Sequence, residues 1–514
     1  MSHPVSPVVT DDLPIDLPAV LDELTDRDPS LAQAFVRALR DAESPVLRAA
    51  ANHMVHSLAR DACLDADVDA VVSRALRAQE PLENWTDGRI DAMLRDIATT
   101  FAEQAEDLAA ATVDETGLGN VADKTLKNRF ASLTIYESLA GRVAQGQLAV
   151  DVERQVTELA SPVGVVFAIT PVTNPVETAI FKTLIAIKSR NALILSFPQQ
   201  ALGVSARFCA TVRGVLAAHR APVDLVQVVQ LRPGRKTTRR FMSHPKVALV
   251  LATGGTSLVK AAYRSGTPAI GVGPGNAPAW ICADADLDHA AWSVVTSKAF
   301  DNGLICGAEH NLVVDDRVAA PFAEALRRHG AAVLSRDEDR LFRLGAIDGD
   351  SGILRHEFIG QSAAAIAAAV GIARPYAIRL LVVPADASVL NAGDAGEKLA
   401  PWLSLFTASG EDQGLRLCRR ILDTAGAGHT AIVHSTNRAR VERFARAMPV
   451  GRILVNAPGA QGCCGMTTGL ERSLSLGCGT FGGNSTTDNV TYRHLLNVKR
   501  IAYHLQQREE DEVR

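Results

Sequence analysis

An α/β fold is predicted, with a doubly wound, Rossmann-type nucleotide-binding domain followed by a second α/β region. Between residues 163 and 252 short apolar runs alternate with helix-period stretches, the pattern of a parallel sheet covered on both faces. The alternation resumes after residue 279. At 514 residues, 47% hydrophobic and 21% charged, the chain is long enough for about three structural units with a large core.

Up to about residue 115 the sequence reads as helices. Asp28-Pro29-Ser30 puts a capping side chain before a proline at the first helical position, and Leu31, Phe35, Val36 and Leu39 follow a 3.6 period. After Trp85-Thr86-Asp87, one helix should carry Ile90, Met93, Leu94, Ile97, Phe101 and Leu108 on a single face and end near Gly117. Leu148, Val150 and Val152 alternate with polar or small neighbours, which predicts an exposed strand. Strands are then expected at 163–167, 192–195, 226–229 and 247–252, with helices at 178–188 and 205–218 between them. In the second region helices are expected at 288–299 and 321–329 and strands at 311–314, 378–383 and 430–434. The Ala-rich stretch 362–373 fits a plain helix, and 495–498 reads as a strand before a charged tail.

Lys+Arg 53 against Asp+Glu 57, a net charge of −4, leaves no basic footprint, so no nucleic acid partner is expected. The uncharged stretches 159–176 and 265–283 each contain three prolines, which argues against a membrane span. The first 18 residues have neither a basic nor an apolar segment of signal-peptide type, so a cytoplasmic address is expected. Eight cysteines without any C-x-x-C pair predict reduced thiols and no metal site.

Thr253-Gly254-Gly255 lies between a buried run and a helix at 257–263, where small residues let a ligand approach free N–H groups; it could equally be a plain turn. Gly271-Val272-Gly273-Pro274-Gly275 is not G-x-G-x-x-G and opens no helix, so it reads as a tight connection. Cys306 follows the polar turn Asp301-Asn302-Gly303 in an otherwise apolar run; it is either a core thiol or one presented beside a pocket. Cys463, Cys464 and Cys478 read as small residues in a glycine-rich segment.

The segments SPVGVVFAITPVTNPVETAIFKTLIAIKSRNALI, ALVLATGGTSLVKAAYRSGTPAIGVGPGNAP, SKAFDNGLICGAEH, EKLAP, GHTAIVHS and LSLGCGTFGGNSTTDNVTYRHLLNVKR resemble, in order, the aldehyde dehydrogenase superfamily. The resemblance is to its coenzyme A-acylating branch, which includes half of the bifunctional alcohol/aldehyde dehydrogenases and microcompartment propionaldehyde dehydrogenases. It covers about residues 115 to 499; the first hundred residues carry little of it and are longer than the branch usually needs.

The resemblance implies Cys306 as nucleophile and Asn174 as side-chain half of an oxyanion hole; read alone, Asn174 is as readily a turn residue before Pro175. It implies cofactor contacts at Thr173, Ser196, Thr253, Gly254, Gly255 and Glu397, with NAD or NADP as oxidant and coenzyme A as acyl acceptor. Hydrolytic relatives carry a glutamate base where this chain has Val272, so water activation there is not expected. His429 also matches, in a structural or coenzyme-related role. Ser196-Phe197-Pro198-Gln199 departs from the Ser-Pro-His of many relatives and leaves NAD against NADP open.

The implied organisation is a helical extension at 1–80, a cofactor-binding domain at 81–273 with an oligomerisation strand near 143–160, a catalytic domain at 274–484 and an oligomerisation segment at 485–514. Strands 148–152 and 495–498 would form a β-flap joining subunits into a homodimer or larger homo-oligomer. The extra N-terminal helices could instead dock on a bacterial microcompartment shell. A reductase of acyl phosphates on the same fold and a catalytically silent assembly protein are the alternatives.

Overall fold

The computed structural model describes residues 29–41, 45–230, 234–388, 390 and 392–505. The readings of the first 28 residues and of the charged tail fall outside these. The chain divides into two compact units, 1–71 and 72–514. In the first, α1 (Pro29–Arg40) opens on Pro29, and α2 (Pro45–Gln79) begins there and ends in the second.

In the second unit α3 (Asp87–Glu103) starts at the Thr86 cap, whose hydroxyl accepts from the Arg89 N–H at 3.3 Å. Ile90, Met93, Leu94, Ile97 and Phe101 are wholly buried, as the period requires. The single helix expected to reach Gly117 is two. It breaks at Gln104, whose side chain accepts from Thr211 Oγ1 at 2.8 Å, and α4 (Ala105–Thr116) then ends on the left-handed Gly117. Helix also continues past the expected limit at 115: α5 (Val121–Arg129), a π turn at Phe130–Thr134 and α6 (Ile135–Leu139) follow. Hydropathy misses α5 because it buries Lys124, Thr125, Lys127 and Asn128 rather than an apolar stripe.

β1 (Gly146–Asp151) and β2 (Val156–Pro162) pair antiparallel, with β1 exposed as predicted. A parallel sheet follows: β3 (Val165–Ile169), β4 (Ala192–Ser196), β5 (Val226–Val228), β6 (Val247–Thr253) and β7 (Ala269–Val272), in the order β5-β4-β3-β6-β7. β3 starts two residues later than predicted, after Gly164 at φ 133°. Its covering helices are α7 (Pro175–Lys188), α8 (Leu202–Ala218), α9 (Arg235–Met242) and α10 (Thr256–Tyr263). By length and composition the segment Gln199–Ala218 could cross a bilayer, but α8 buries Val204, Phe208, Val212 and Leu216, and Phe208 stacks on Phe101 of α3 at 4.9 Å.

The second parallel sheet has seven strands: β8 (Ala277–Ile281), β9 (Glu309–Asp315), β10 (Ala331–Val333), β11 (Leu380–Pro384), β12 (Trp402–Ala408), β13 (Gly428–His434) and β14 (Val450–Val455). Their order is β10-β11-β12-β9-β8-β13-β14. α11 (Leu287–Ala299), α12 (Ala319–Arg328), α13 (Arg336–Ala346), α14 (Ala363–Ala369), α15 (Glu411–Thr424) and α16 (Arg438–Ala447) accompany it. The Ala-rich helix is shorter than its composition suggested, and its exit carries Gly371 at φ 76°. Trp280, Phe406, Ile421 and Phe444 centre one core cluster, and Phe342, Ile366 and Trp402 another. β15 (Leu496–Ala502) returns to pair antiparallel with β2, completing a three-stranded sheet β1-β2-β15.

The two large sheets are joined by residues 273–276. A Cβ on Gly275 would lie 1.7 Å from the Cys306 carbonyl oxygen, so this segment is a tight connection and only glycine permits the approach.

Candidate active site

A cavity of ≈ 540 Å³ lies where the C-terminal ends of β3, β4 and β6 meet the segments leading into β9 and β12. In a parallel sheet the order reverses at such a point, here between β3 and β6, and leaves a crevice for ligands. The eight residues that the resemblance implies as catalytic or cofactor-binding line this one cavity: Thr173, Asn174, Ser196, Thr253, Gly254, Gly255, Cys306 and Glu397; His429 is not among its lining residues. Among the described residues no cluster of three or more His, Cys, Asp or Glu is placed to hold a metal ion.

Cys306 follows a turn in which Asp301 (φ 46°), Asn302 (φ 52°) and Gly303 (φ 75°) are all left-handed. Side-chain-bearing residues adopt this conformation at a cost of about 1–2 kcal/mol each, so the surroundings must hold them. The Asp301 N–H donates to Asp123 Oδ2 (2.8 Å), and Asp301 Oδ1 accepts from the Asn120 N–H (3.1 Å). Asn302 Nδ2 donates to the carbonyls of Gly119 (3.1 Å) and Gly360 (2.8 Å). Gly303 sits against Ala400, whose carbonyl would be 2.6 Å from an added Cβ.

Asn174 occupies the cap position of α7 before Pro175, yet its side chain makes no capping bond. Lys127 Nζ donates to Asn174 Oδ1 at 2.5 Å, while Nδ2 donates to Thr173 Oγ1 (2.9 Å) and reaches toward Leu304 O (3.4 Å) on the Cys306 loop. These contacts hold the Asn174 amide between Lys127 and the Cys306 loop. Lys127 is buried and paired with Asp301 and with Glu177 (2.5 Å); burial opposes its charge, but these two carboxylates hold its pKa above the ordinary lysine value. Lys124 Nζ binds Asp301 Oδ2 (3.0 Å) and Thr173 O (2.9 Å), and burial together with Lys127 pulls its pKa down.

His429, near the start of β13, places Nε2 3.1 Å from Cys306 Sγ and Nδ1 2.9 Å from Thr430 Oγ1. Burial, reinforced by the nearby Arg452 charge, keeps His429 well below the usual imidazole pKa. Burial pushes the Cys306 thiol up, as do the neighbouring Cys464 and Glu397, and Arg452 works in the opposite direction. Cys464 lines the cavity beside Cys306, whereas Cys463 and Cys478 are packed among glycines as expected.

The opposite wall suits a dinucleotide. Thr253 Oγ1 is buried and unpartnered, and Gly255 starts α10 without a side-chain cap, leaving polar hydrogens free for an incoming ligand. A Cβ on Gly254 would meet Leu258 Cδ2 at 2.8 Å, so a side chain there would have to displace that leucine. Burial raises the Glu397 carboxyl to about 7, while Lys298 and the Gly275 N–H favour its charge. Lys298 is itself lowered to about 7 by burial; its Nζ donates to Lys398 O (2.7 Å) and His310 Nδ1 (3.1 Å), fixing the segment that bears Glu397. Val272 stands in the wall with no carboxylate of its own.

The sequence reading missed Lys127, Lys298 and Arg452. Each is charged and almost wholly buried, and a charged residue reads from sequence as solvent-facing.

The aldehyde dehydrogenase family model matches residues 40–494. Sulfoacetaldehyde dehydrogenase (acylating) of Cupriavidus necator is 37% identical over 455 residues, 87% of this chain and 91% of that protein. Aldehyde-alcohol dehydrogenase 2 of Entamoeba histolytica is 37% identical over 449 residues, 85% of this chain and 52% of that protein, so the chain spans about half of that relative's length. The crystal structure of an acetylating aldehyde dehydrogenase from Geobacillus thermoglucosidasius superposes with a TM-score of 0.82 at 36% identity, covering 87% of this chain and 98% of that one. With its two parallel sheets, its cysteine-centred cavity and these relatives, the chain belongs to the aldehyde dehydrogenase family, in its acylating branch.

Proposed function

We propose that the chain is a coenzyme A-acylating aldehyde dehydrogenase that oxidises a short-chain aldehyde to its acyl-CoA, reversibly, with NAD or NADP. The observation that carries this reading is one cavity shared by Cys306, the held amide of Asn174 and the wall at Thr253, Gly254, Gly255, Thr173, Ser196 and Glu397. Cys306 Sγ attacks the aldehyde carbon to give a thiohemiacetal. Its oxyanion receives hydrogen bonds from Asn174 Nδ2 and the Cys306 N–H, each worth about 3–4 kcal/mol in such sites. Thr253, Gly254, Gly255 and Glu397 would hold a nicotinamide dinucleotide on the opposite wall, which when bound would supply the hydride acceptor; loss of hydride from the thiohemiacetal would leave a thioester on Cys306.

Coenzyme A then takes the acyl group. This step is supported by Val272, which leaves no carboxylate at that position to activate water, and by the greater nucleophilicity of a thiol at neutral pH. The proposed organisation keeps 81–273 as cofactor domain and 274–484 as catalytic domain, with 1–80 as an extension. The flap β1-β2-β15, which exposes Val150, Val152, Val498 and Ile501, would join subunits as a homodimer or larger homo-oligomer. A cytoplasmic location is the simplest; one inside a bacterial microcompartment would give the N-terminal helices a shell to dock on.

The test is steady-state assay with short aldehydes, NAD or NADP, and coenzyme A. Sustained reduced-nicotinamide formation is expected only with coenzyme A, with at most a single burst without it. Sustained turnover to free acid without the thiol would overturn the acylating reading, and formation of acyl phosphate or release of phosphate would identify an acyl phosphate reductase.

A further inference from the structure

Cys306, His429, Thr430 and Arg452 form one hydrogen-bonded line. His429 joins Cys306 Sγ through Nε2 (3.1 Å) and Thr430 Oγ1 through Nδ1 (2.9 Å), and Arg452 Nε donates to the same hydroxyl at 3.5 Å. Thr430 and Arg452 face each other across the β13–β14 ladder, so the contact is built into the strand register.

The direction of the protons follows from the donors available. Arg452 Nε can only donate, so Thr430 Oγ1 accepts from it. The hydroxyl hydrogen of Thr430, wholly buried, then has His429 Nδ1 as its acceptor among the described residues. A neutral imidazole that accepts at Nδ1 carries its proton on Nε2, the nitrogen aimed at Cys306. The remaining Arg452 nitrogens bind Gly477 O (2.6 Å), Thr487 O (3.0 Å) and Asn489 Oδ1 (3.2 Å). All are neutral oxygens, so the positive charge is left unspent beneath the thiol.

We infer that His429 serves Cys306 as a hydrogen-bond donor rather than as its base, held in the donating tautomer by Thr430 and Arg452 as positioning residues. The inference rests on the proposed nucleophilic role of Cys306. When Sγ is a thiolate, the Nε2–H donates to it. In acyl transfer the coenzyme sulfur, having lost its proton to water, bonds to the acyl carbon. The bond from that carbon to Cys306 Sγ breaks, its electron pair returns to Sγ, and the same Nε2–H receives the emerging anion. His429 stays neutral throughout, in keeping with its lowered basicity.

The test follows the pH dependence of Cys306 alkylation by iodoacetamide, read by peptide mass spectrometry on the full chain, beside turnover. Thr430→Val and Arg452→Met are expected to raise the apparent pKa of alkylation by at least one unit, about tenfold slower at pH 7. Thr430→Ser should restore it, which keeps the test valid if Arg452→Met fails to fold. His429→Gln, whose amide can donate but cannot take a proton, should recover at least tenfold of the turnover lost in His429→Ala. An alkylation profile unmoved by Thr430→Val, or a glutamine variant as inactive as alanine, would overturn the inference and make His429 a base or a packing residue. An active Cys306→Ala enzyme would instead remove the functional reading itself, a result the alkylation profiles do not depend on.

Discussion

At the residue scale, the nucleophile and the oxyanion donor proposed above predict different losses. Cys306→Ala should abolish aldehyde oxidation while reduced-nicotinamide binding, followed by fluorescence, stays within about threefold, because only the covalent step uses the sulfur. Asn174→Ala should lower turnover by roughly 100- to 1000-fold, and a loss below about threefold would count against the donor role. Lys127→Met should slow turnover as well, since Asn174 Oδ1 would lose its anchor. It should also destabilise the protein by about 3–5 kcal/mol in denaturant unfolding, because Glu177 would be left buried without a cation and Asp301 with Lys124 alone. That Cys306 and Asn174 belong to one cavity was legible in the sequence because long matching segments surround them. Lys127 was not, since nothing local in VADKTLKNR distinguishes a lysine buried among carboxylates from one in water.

At the element scale, Glu309 ties the first residue of β9 to the helical turn at Gly459–Cys463, its Oε1 accepting from the Gly459 N–H at 2.9 Å. Burial raises its carboxyl to about 7, above an ordinary value of 4.5. The native chain therefore binds this proton more tightly than the unfolded chain. Its contribution to stability is greatest below about pH 4.5, falls as pH rises to 7 and is then level, by an amount on the order of 3 kcal/mol. Glu309→Gln should flatten the decline between pH 5 and 7, and urea midpoints of both proteins at pH 5, 6 and 7 would measure it. The first parallel sheet was legible because its strands are short, apolar and separated by helical periods. β8, β10, β12 and β14 went unread: β8 carries Pro278 just after a glycine-rich run, β10 has three residues, β12 mixes the buried Ser404 and the exposed Thr407 into its apolar run, and β14 alternates on a sheet edge. The break at Gln104 depends on Thr211, more than a hundred residues away, and no local pattern carries such information.

At the scale of the whole molecule, the exposed apolar residues of the β1-β2-β15 sheet predict self-association. Sedimentation should give a dimer or larger assembly at micromolar concentration, both for the full chain and for one starting at Pro81; a monomer in both would refute the flap. If the extension docks on a shell, the shorter chain should lose shell co-purification while keeping its assembly state. The centre that positions Asn174 also fixes the order in which the protein can finish folding during synthesis. Lys124 is made 177 residues before the Asp301 that neutralises it, and Lys127 is 174 residues ahead of the same partner. At about 5–20 residues per second, the ribosome leaves both lysines without that carboxylate for roughly 10–35 s. Until the aspartate emerges, helix α5 carries two cations against the single buried carboxylate of Glu177, and water remains the better solvent for them. The first sheet can form early, but the cavity around Asn174 must close late, when the second half of the chain delivers its charge and its thiol together.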